Sequence, residues 1–250
     1  MLTSAGMRPD QLSLRTTPAV KFQFPSYSMS VPANRLSDEV VSARSLAKYR
    51  QRAAAYDKTC GPTWPIRERA VSALQLQPGQ VVLDVGCGTG LSLSLLRAAV
   101  GETGRVYGFD QSPEMLALAR GRAEAAGWRN VELLETPAQT LVLPETVNAL
   151  LFHYTHDILR SPAAIDRLLA SACPGATVAI AGIKYFPLWL APLNVWVYFK
   201  NHGYNGAPGE LASPWDRMAS RLTDWRLVPT QFGMGYLASG RVPERIKNPG

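Results

Sequence analysis

Short apolar runs alternate with amphipathic segments through the middle of the chain. Five apolar runs are predicted as strands: residues 81–85, 104–110, 131–134, 147–152 and 176–181. Helical patterns lie between them, and these end near Val100, run from Pro113 to Ala126, and run from Pro162 to Ala172. Continuous apolar strands that alternate with helices are typical of a mostly parallel sheet with helices on both faces. Right-handed crossovers are expected between the strands.

The end of the chain follows a different pattern. A short helix is predicted from Trp215 to Leu222, and strands are predicted at Trp225–Phe232 and Tyr236–Val242. Only Gly233-Met234-Gly235 separates these two strands, so they must form an antiparallel hairpin. The fold class is therefore predicted as α/β, a Rossmann-like three-layer sandwich whose mostly parallel sheet ends in an antiparallel strand.

The beginning of the chain lacks this periodicity. Residues 1–37 are interpreted as a poorly ordered N-terminal extension, and residues 38–250 as one domain. A helical pattern runs from Ser37 toward Tyr56, and a second helix is predicted to begin after Gly61-Pro62 and to run through Leu74. Pro62 suits the first turn of that helix, where its missing N–H is not needed.

Composition narrows the function classes. A chain of 250 residues with 46% hydrophobic residues can bury a sizeable core. The net charge of +7 would suit nucleic acid, but the basic residues are scattered, so no nucleic-acid partner is expected. The three cysteines form no CxxC pair, which argues against disulfides and a structural zinc and favours a reducing, cytoplasmic location.

Hydropathy predicts no membrane-spanning helix, because no apolar run reaches about 18 residues. The nearest approach, Phe186–Phe199, is interrupted by Pro187, Pro192 and Asn194. Peripheral contact with a membrane surface stays open for this stretch. Oligomeric state is also open, with a homodimer as one option.

A glycine-rich loop follows the first predicted strand and opens a helix. It reads Asp84-Val85-Gly86-Cys87-Gly88-Thr89-Gly90. Glycines allow a tight turn and close approach of a ligand, and the helix N-terminus offers free N–H groups. The dinucleotide pattern G-x-G-x-x-G would need glycine where Leu91 stands, and the Gly-Lys-Ser/Thr of a P-loop is missing.

Acidic residues beside this loop indicate which ligand it holds. Asp84 would repel a pyrophosphate but would attract a ligand that carries an amino group. Asp110 ends the second strand, where a carboxylate can accept hydrogen bonds from ribose hydroxyls. Met115 is placed to lie against an adenine ring. A ligand with ribose, adenine and an ammonium group but no phosphate is S-adenosyl-L-methionine (SAM).

Residues 45–183 resemble the class I SAM-dependent methyltransferases. VLDVGCGTG is similar to the first motif of that family and VYGFDQSPEML to its second. The resemblance is closest to the ubiquinone/menaquinone-biosynthesis methyltransferase-like group, which also carries a Tyr-Asp pair before the domain, here Tyr56-Asp57. It implies a seven-stranded sheet with a reversed last strand, which agrees with the predicted hairpin.

The resemblance also implies a set of cofactor-binding residues. The methionine part would lie against the glycine loop, Asp110 would hold the ribose, and Tyr56 would close over the carboxylate. The family's usual Asp-Ala after the third strand is replaced here by Glu135–Gln139, so the adenine contact is assigned to Thr136 and Ala138. The complete set is Tyr56, Asp84, Gly86, Cys87, Gly88, Gly90, Asp110, Gln111, Met115, Thr136, Ala138 and His153.

Candidate catalytic residues follow the fourth strand. In open α/β sheets, ligands bind beyond the carboxyl ends of the strands, which is where residues 152–157 are expected to lie. His156 is the candidate general base, with Asp157 nearby, and His153 is a second candidate. The alternative is that His153 only packs against the cofactor and that His156 caps a helix or faces solvent.

Aromatic residues are frequent in the predicted insertion at about residues 185–215. They are interpreted as a lid over the acceptor, although ordinary core packing is the alternative. The acceptor contacts are assigned to Tyr154, Tyr185, Trp189, Trp196 and Tyr204, and no metal is expected.

The predicted function is methyl transfer to an apolar or aromatic small molecule, such as a quinone-like ring, a secondary metabolite or a lipid. Two alternatives stay open. The basic charge leaves RNA methylation open, and the fold alone would also suit a non-catalytic SAM-binding protein.

Overall fold

The computed structural model describes Asp57 and residues 61–186, 193–195 and 213–244. The N-terminal extension 1–37, the helical pattern that leads to Tyr56, and most of the insertion at 185–215 lie outside the described residues.

Within the described ranges, seven strands form one sheet in the order β3-β2-β1-β4-β5-β7-β6. Strands β1 to β5 pair in parallel, and β7 is antiparallel to both of its neighbours, β5 and β6. This confirms the predicted reversed last strand. The strands are β1 (Val81–Val85), β2 (Arg105–Asp110), β3 (Val131–Glu135), β4 (Val147–His153), β5 (Ala172–Ile183), β6 (Thr223–Thr230) and β7 (Gly235–Arg241).

The register of the central strands brings their carboxyl ends together. Val85 of β1 lies opposite Phe109 of β2 on one side and Phe152 of β4 on the other. The strand order reverses at β1, so a crevice is expected between the connections that follow β1 and β4. The residues that follow Val85, Phe109 and Phe152 therefore meet at one edge of the sheet.

Helices cover both faces of the sheet, as the alternating pattern predicts. One face packs against α1 (Trp64–Ala73), α2 (Leu93–Val100) and α3 (Pro113–Ala125), and the other against α4 (His156–Arg160), α5 (Pro162–Ala170) and α6 (Asp216–Ala219). The two apolar cores are separated by the sheet, because alternate side chains of β1, β2 and β4 point to opposite faces. None of these helices is long and apolar enough to cross a membrane.

Helix starts agree with the sequence where a capping serine precedes a proline. The hydroxyl oxygen of Ser112 accepts from the N–H of Met115 at α3, and that of Ser161 accepts from the N–H of Ala164 at α5. The start of α1 at Trp64 lies one residue beyond the predicted start after Gly61-Pro62, but Pro62 is not in its first turn. Pro62 lies in a short 3-10 turn, Gly61–Thr63, and Pro65 occupies the first turn of the α-helix.

The end of the chain differs in detail from the prediction. The β6–β7 connection spans residues 231–234 rather than Gly233-Met234-Gly235, because Gln231–Gly233 forms a 3-10 turn. Gln231 and Phe232 have φ values of 49° and 56°, which side chains disfavour and a sequence pattern therefore does not indicate. The short helix α4 was missed, and β5 begins earlier than predicted, with its register against β4 shifted between Val147 and Ala149.

Candidate functional site

The glycine loop leaves β1 with its three glycines in the left-handed region. The φ values of Gly86, Gly88 and Gly90 are 61°, 56° and 79°. A Cβ on Gly90 would lie 2.6 Å from Cδ1 of Leu93 and 3.0 Å from Cβ of Ala119, whereas a Cβ on Gly88 would meet nothing within 4 Å. Gly90 therefore packs the loop onto its helices, and Gly88 faces open space.

Asp110 holds this loop from the end of β2. The N–H of Gly88 donates to Oδ2 of Asp110 at 3.0 Å, and the N–H of Ser112 donates to Oδ1 at 2.9 Å. Burial raises the pKa of Asp110, and the hydrogen bonds from Ser112, Gly88 and Gln111 oppose that rise. The carboxylate is therefore built into the loop and lies at the same edge of the sheet.

Asp84 is buried beneath the loop at 2% exposure. Its Oδ2 atom has no hydrogen-bond partner in the described structure. Burial raises the pKa of Asp84 to about 7; the nearby positive charge of Arg67 lowers it, and the charge of Asp110 raises it further. An apolar environment with an unsatisfied carboxylate oxygen favours a cationic ligand there.

Arg67 belongs to this site, and the sequence prediction missed it. It lies on α1 at 6% exposure, and its guanidinium donates a hydrogen bond to Oγ of Ser92, next to the glycine loop. A signal was present, because Arg67 shares its helix face with the buried Ala70, Val71 and Leu74 at spacings of three, four and seven. A charged residue on an apolar face marks a group that needs partners when buried.

His153 ends β4 on the Arg67 side of the sheet. Burial lowers the pKa of His153 well below its usual value, and the positive charge of Arg67 lowers it further. Its ring centroid lies 4.8 Å from that of Tyr154. His153 is therefore neutral near pH 7, and its Nε2 atom has no hydrogen-bond partner in the described structure.

His156 opens α4 and lies on the opposite face of the sheet. It is buried, which excludes the alternative that it faces solvent. Its Nε2 atom accepts a long, 3.4 Å hydrogen bond from the N–H of Ile183, and its Nδ1 atom has no partner among the described residues. Burial lowers the pKa of His156 to about 4, so the ring is neutral near pH 7. Its role as general base stays a prediction.

Further polar groups gather beside His156, and the sequence prediction missed them. A Cβ on Gly182 would lie 2.7 Å from Cε1 of His156 and 3.0 Å from Oη of Tyr236, so both side chains pack on the same glycine. The amide of Gln231 donates to Oη of Tyr154 at 3.4 Å. Oη of Tyr236 and Oε1 of Gln231 are buried without a partner in the described ranges. The pairing of β7 with β5 brings these groups together, and the residue pattern alone does not indicate that pairing.

The remaining predicted cofactor residues surround the loop. Cys87 packs against Gly108, and burial raises the pKa of its thiol well above the usual value, so the thiol is neutral. Met115 is buried, Gln111 is exposed, Thr136 donates its N–H to the carbonyl of Asp110 at 3.2 Å, and Ala138 is buried in a 3-10 turn. Their contacts with a cofactor stay predictions.

The predicted acceptor residues are only partly described. Tyr154 and Tyr185 are half-buried, and Tyr154 has a φ of 61°. Tyr56, Trp189, Trp196 and Tyr204 lie outside the described residues. No group of three or more His, Cys, Asp or Glu side chains in the described part of the chain is arranged to hold a metal ion.

Comparison with known proteins agrees with this geometry. Residues 82–174 match a family described as a methyltransferase domain. The chain is 40% identical over 75 residues to a demethylmenaquinone methyltransferase of Bacillus mycoides, an alignment that covers 30% of this chain and 32% of that protein. It is 38% identical over 84 residues to a probable cobalt-precorrin-6B C(15)-methyltransferase (decarboxylating) of Saccharolobus solfataricus, covering 33% of this chain and 41% of that protein.

The chain thus spans about a third to two fifths of the length of these two relatives, from 32% to 41%. A crystal structure of a SAM-dependent methyltransferase from Aquifex aeolicus superposes with a TM-score of 0.52 at 22% identity, covering 83% of this chain and all of that one. This likeness shows a shared fold.

Proposed function

Because the chain carries a class I SAM-dependent methyltransferase domain, we propose that it transfers the methyl group of SAM to an apolar or aromatic small molecule. The observation that carries the proposal is the glycine loop at the end of β1, with Asp84 buried beneath it and Asp110 bonded to its backbone.

The residues at this edge of the sheet fit SAM group by group. The unpartnered oxygen of Asp84 suits the ammonium of the methionine part, and the buried positive charge of Arg67 suits its carboxylate. The open space above Gly88 allows close approach of the ligand backbone. The carboxylate of Asp110 keeps lone pairs for the ribose hydroxyls beyond those that accept from Gly88 and Ser112.

The bound cofactor would supply an electrophilic methyl group with a neutral leaving group. The chain then needs chiefly to position the acceptor and to exclude water, and good orientation alone supplies up to ~7–11 kcal/mol of the barrier. A pKa of about 4 makes His156 a weak base. Its Nδ1 atom and Oη of Tyr236 are instead suited to hold a polar atom of the acceptor by hydrogen bonds.

Support for a small acceptor comes from two sources. The two relatives are named for methylation of a quinone and of a cobalt precorrin, both small molecules. The edge where β4 and β5 end and β7 begins is lined by the rings of His153, Tyr154, His156 and Tyr236, which suits a flat aromatic acceptor.

Incubation with methyl-labelled SAM tests the proposal. The enzyme is offered a panel of quinols and phenols, a metabolite extract and total RNA in separate reactions, with the Asp110→Asn variant as the matched control. Label is expected in an organic-extractable product with the wild type and not with the variant. Label in RNA alone, or SAM binding without transfer to any member of the panel or extract, would contradict the small-molecule assignment.

A further inference from the structure

We propose that Asp57 is a positioning residue for the cofactor, acting through the glycine loop rather than by touching the ligand. The inference rests on the proposed function, because it takes the loop as the place where SAM binds. It adds a residue outside the matched domain, since Asp57 precedes residue 82 by a helix and a turn.

Asp57 closes a ring of hydrogen bonds with Arg122 and Thr89, the residue between Gly88 and Gly90. The hydroxyl of Thr89 donates to Oδ1 of Asp57 at 2.7 Å. The guanidinium of Arg122 donates to Oδ2 of Asp57, and its Nε–H also donates to the carbonyl oxygen of Thr89 at 2.9 Å. Asp57, the middle of the loop and helix α3 are thereby joined at one point.

This ring completes the fixation of the loop backbone. Asp110 accepts from the N–H of Gly88 on one side of the loop, and Arg122 donates to the carbonyl of Thr89 on the other. Thr89 is 1% exposed with Asp57 in place, so its hydroxyl depends on a protein acceptor, and that acceptor is Oδ1 of Asp57. An unsatisfied buried hydroxyl is costly, and its simplest relief is rotation of the peptide units that flank it.

The ion pair by itself would be a weak argument, because both side chains are about a third exposed, at 38% for Arg122 and 31% for Asp57. Exposed pairs contribute little to stability. The position of the pair matters more, because both of its members are bonded to Thr89 in the glycine loop. A change in Asp57 acts on the peptide units that flank Thr89, next to the open space at Gly88, rather than on the core.

Coupling of this kind is reciprocal. If docking of Asp57 favours the loop conformation that binds SAM, then binding of SAM must favour docking of Asp57 by the same factor. The structure therefore implies that the segment containing Asp57 responds to the cofactor, although it belongs to neither the sheet nor the matched domain.

Calorimetric titration of the full-length protein with S-adenosylhomocysteine (SAH) tests the inference without any acceptor. Thr89→Val keeps the shape and removes the hydroxyl, and Asp57→Ala removes both acceptor oxygens. Each should weaken SAH binding by roughly tenfold, the effect of one charge-assisted hydrogen bond. Thr89→Ser restores the hydroxyl and should retain the wild-type affinity. Asp166→Ala breaks a comparably exposed ion pair, with Arg221, and should change nothing.

Hydrogen exchange supplies a readout that a merely structural role would not move. SAH should slow amide exchange in the peptide that contains Asp57 in the wild type and in Thr89→Ser, and not in Thr89→Val. If Thr89→Val does not fold, the SAH titration is done with Asp57→Ala, whose substituted side chain is partly exposed. Amide hydrogen exchange is then followed in the glycine loop.

The outcomes separate the two proposals. A wild-type protein that binds no SAH contradicts the proposed function itself. A wild type that binds SAH, with Asp57→Ala and Thr89→Val binding equally well, overturns the role of Asp57 and leaves the proposed function standing. Reduced thermal stability with unchanged affinity also overturns it.

Discussion

The proposed cofactor end of this site is the loop after β1, and the proposed acceptor end is formed by the carboxyl ends of β4 and β5 with the β6–β7 connection. The two use left-handed backbone in opposite ways. In the loop after β1, positive φ values fall on Gly86, Gly88 and Gly90, where they cost little. At the acceptor end they fall on three residues with side chains: Tyr154, Gln231 and Phe232. Because an L side chain in this region costs about 1–2 kcal/mol per residue, the loop is relaxed and the acceptor end is strained.

The two ends also differ in how many of their buried polar groups have hydrogen-bond partners. Around the loop, Asp110 and Thr89 are satisfied by backbone and side-chain partners. At the acceptor end, Nδ1 of His156, Oη of Tyr236 and Oε1 of Gln231 are buried without a partner in the described part of the chain. Strain and unsatisfied polar groups concentrate where a protein must hold a variable ligand. The backbone of the loop is thus held by protein partners before a ligand binds, although Oδ2 of Asp84 beneath it is also buried without a partner in the described residues.

The largest expected effect comes from giving the loop a side chain. Gly90→Ala would place its Cβ 2.6 Å from Leu93 and 3.0 Å from Ala119, at a φ of 79°. We expect a loss of about 3 kcal/mol in the free energy of unfolding, from backbone strain plus overpacking. Gly88→Ala is the matched control, because its Cβ meets nothing and only the strain of about 1 kcal/mol applies. Urea titration measures both, and equal losses would contradict the account of the loop.

Removing the carboxylate of Asp110 should have the next largest effect. Asp110→Asn leaves one oxygen to serve the N–H groups of Gly88 and Ser112, and it loses the charge that strengthens these bonds. SAH affinity should fall by roughly 100-fold, or about 2.7 kcal/mol. Glu102→Gln, on an exposed ion pair, is the control for charge alone. Calorimetry that finds the two variants equivalent would remove Asp110 from the cofactor site.

The pH dependence of binding should be set by Asp84. Its raised pKa of about 7 means that the folded protein must release a proton before the carboxylate can pair with an ammonium. SAH affinity should therefore fall by roughly tenfold as pH drops from 8 to 6. Without ligand, the free energy of unfolding depends on pH in the opposite direction. Because the pKa of Asp84 is higher in the folded than in the unfolded chain, its contribution to that free energy declines as pH rises toward 7. The Asp84→Asn variant should bind SAH weakly and without this pH dependence. If the variant keeps the pH profile of the wild type, a group other than Asp84 is the one that titrates.

The smallest effect should come from relaxing the acceptor end. Phe232 is fully exposed and has a φ of 56°, so Phe232→Gly removes strain without removing a buried contact. We expect a gain of about 1 kcal/mol in the free energy of unfolding. Phe232→Ala loses the same ring but keeps a Cβ, so it should show no gain. If thermal unfolding finds Phe232→Ala more stable than Phe232→Gly, this turn is not strained.

The same difference explains how far the sequence predicted the structure. The sequence allowed Asp84, Asp110 and the three glycines to be predicted as site residues. A positive φ at glycine, a strand end and a helix start are each associated with characteristic residue types in the sequence. The number of strands and the reversed last strand were predicted through the family resemblance, and the hairpin was predicted from the short spacing between its two strands.

The acceptor end left no such signature. Gln231 and Tyr236 reach the site because β7 pairs with β5, a contact between distant parts of the chain. The helix α4, which buries His156, is too short to show a period. Arg67 was overlooked because an arginine in a helix is ordinarily taken as a surface residue, although its spacing with Ala70, Val71 and Leu74 placed it on the buried face.

A crystal structure of the full chain with SAH tests the central claim most directly. We expect the methionine part of SAH to lie against Gly86–Gly90, its ammonium beside Asp84, and the ribose hydroxyls within hydrogen-bond distance of Asp110. We also expect the vacant methyl position to point toward the carboxyl ends of β4 and β5, on the side of Tyr154 and His156. SAH bound elsewhere, or bound at the loop with Asp84 and Asp110 out of reach, would contradict this claim.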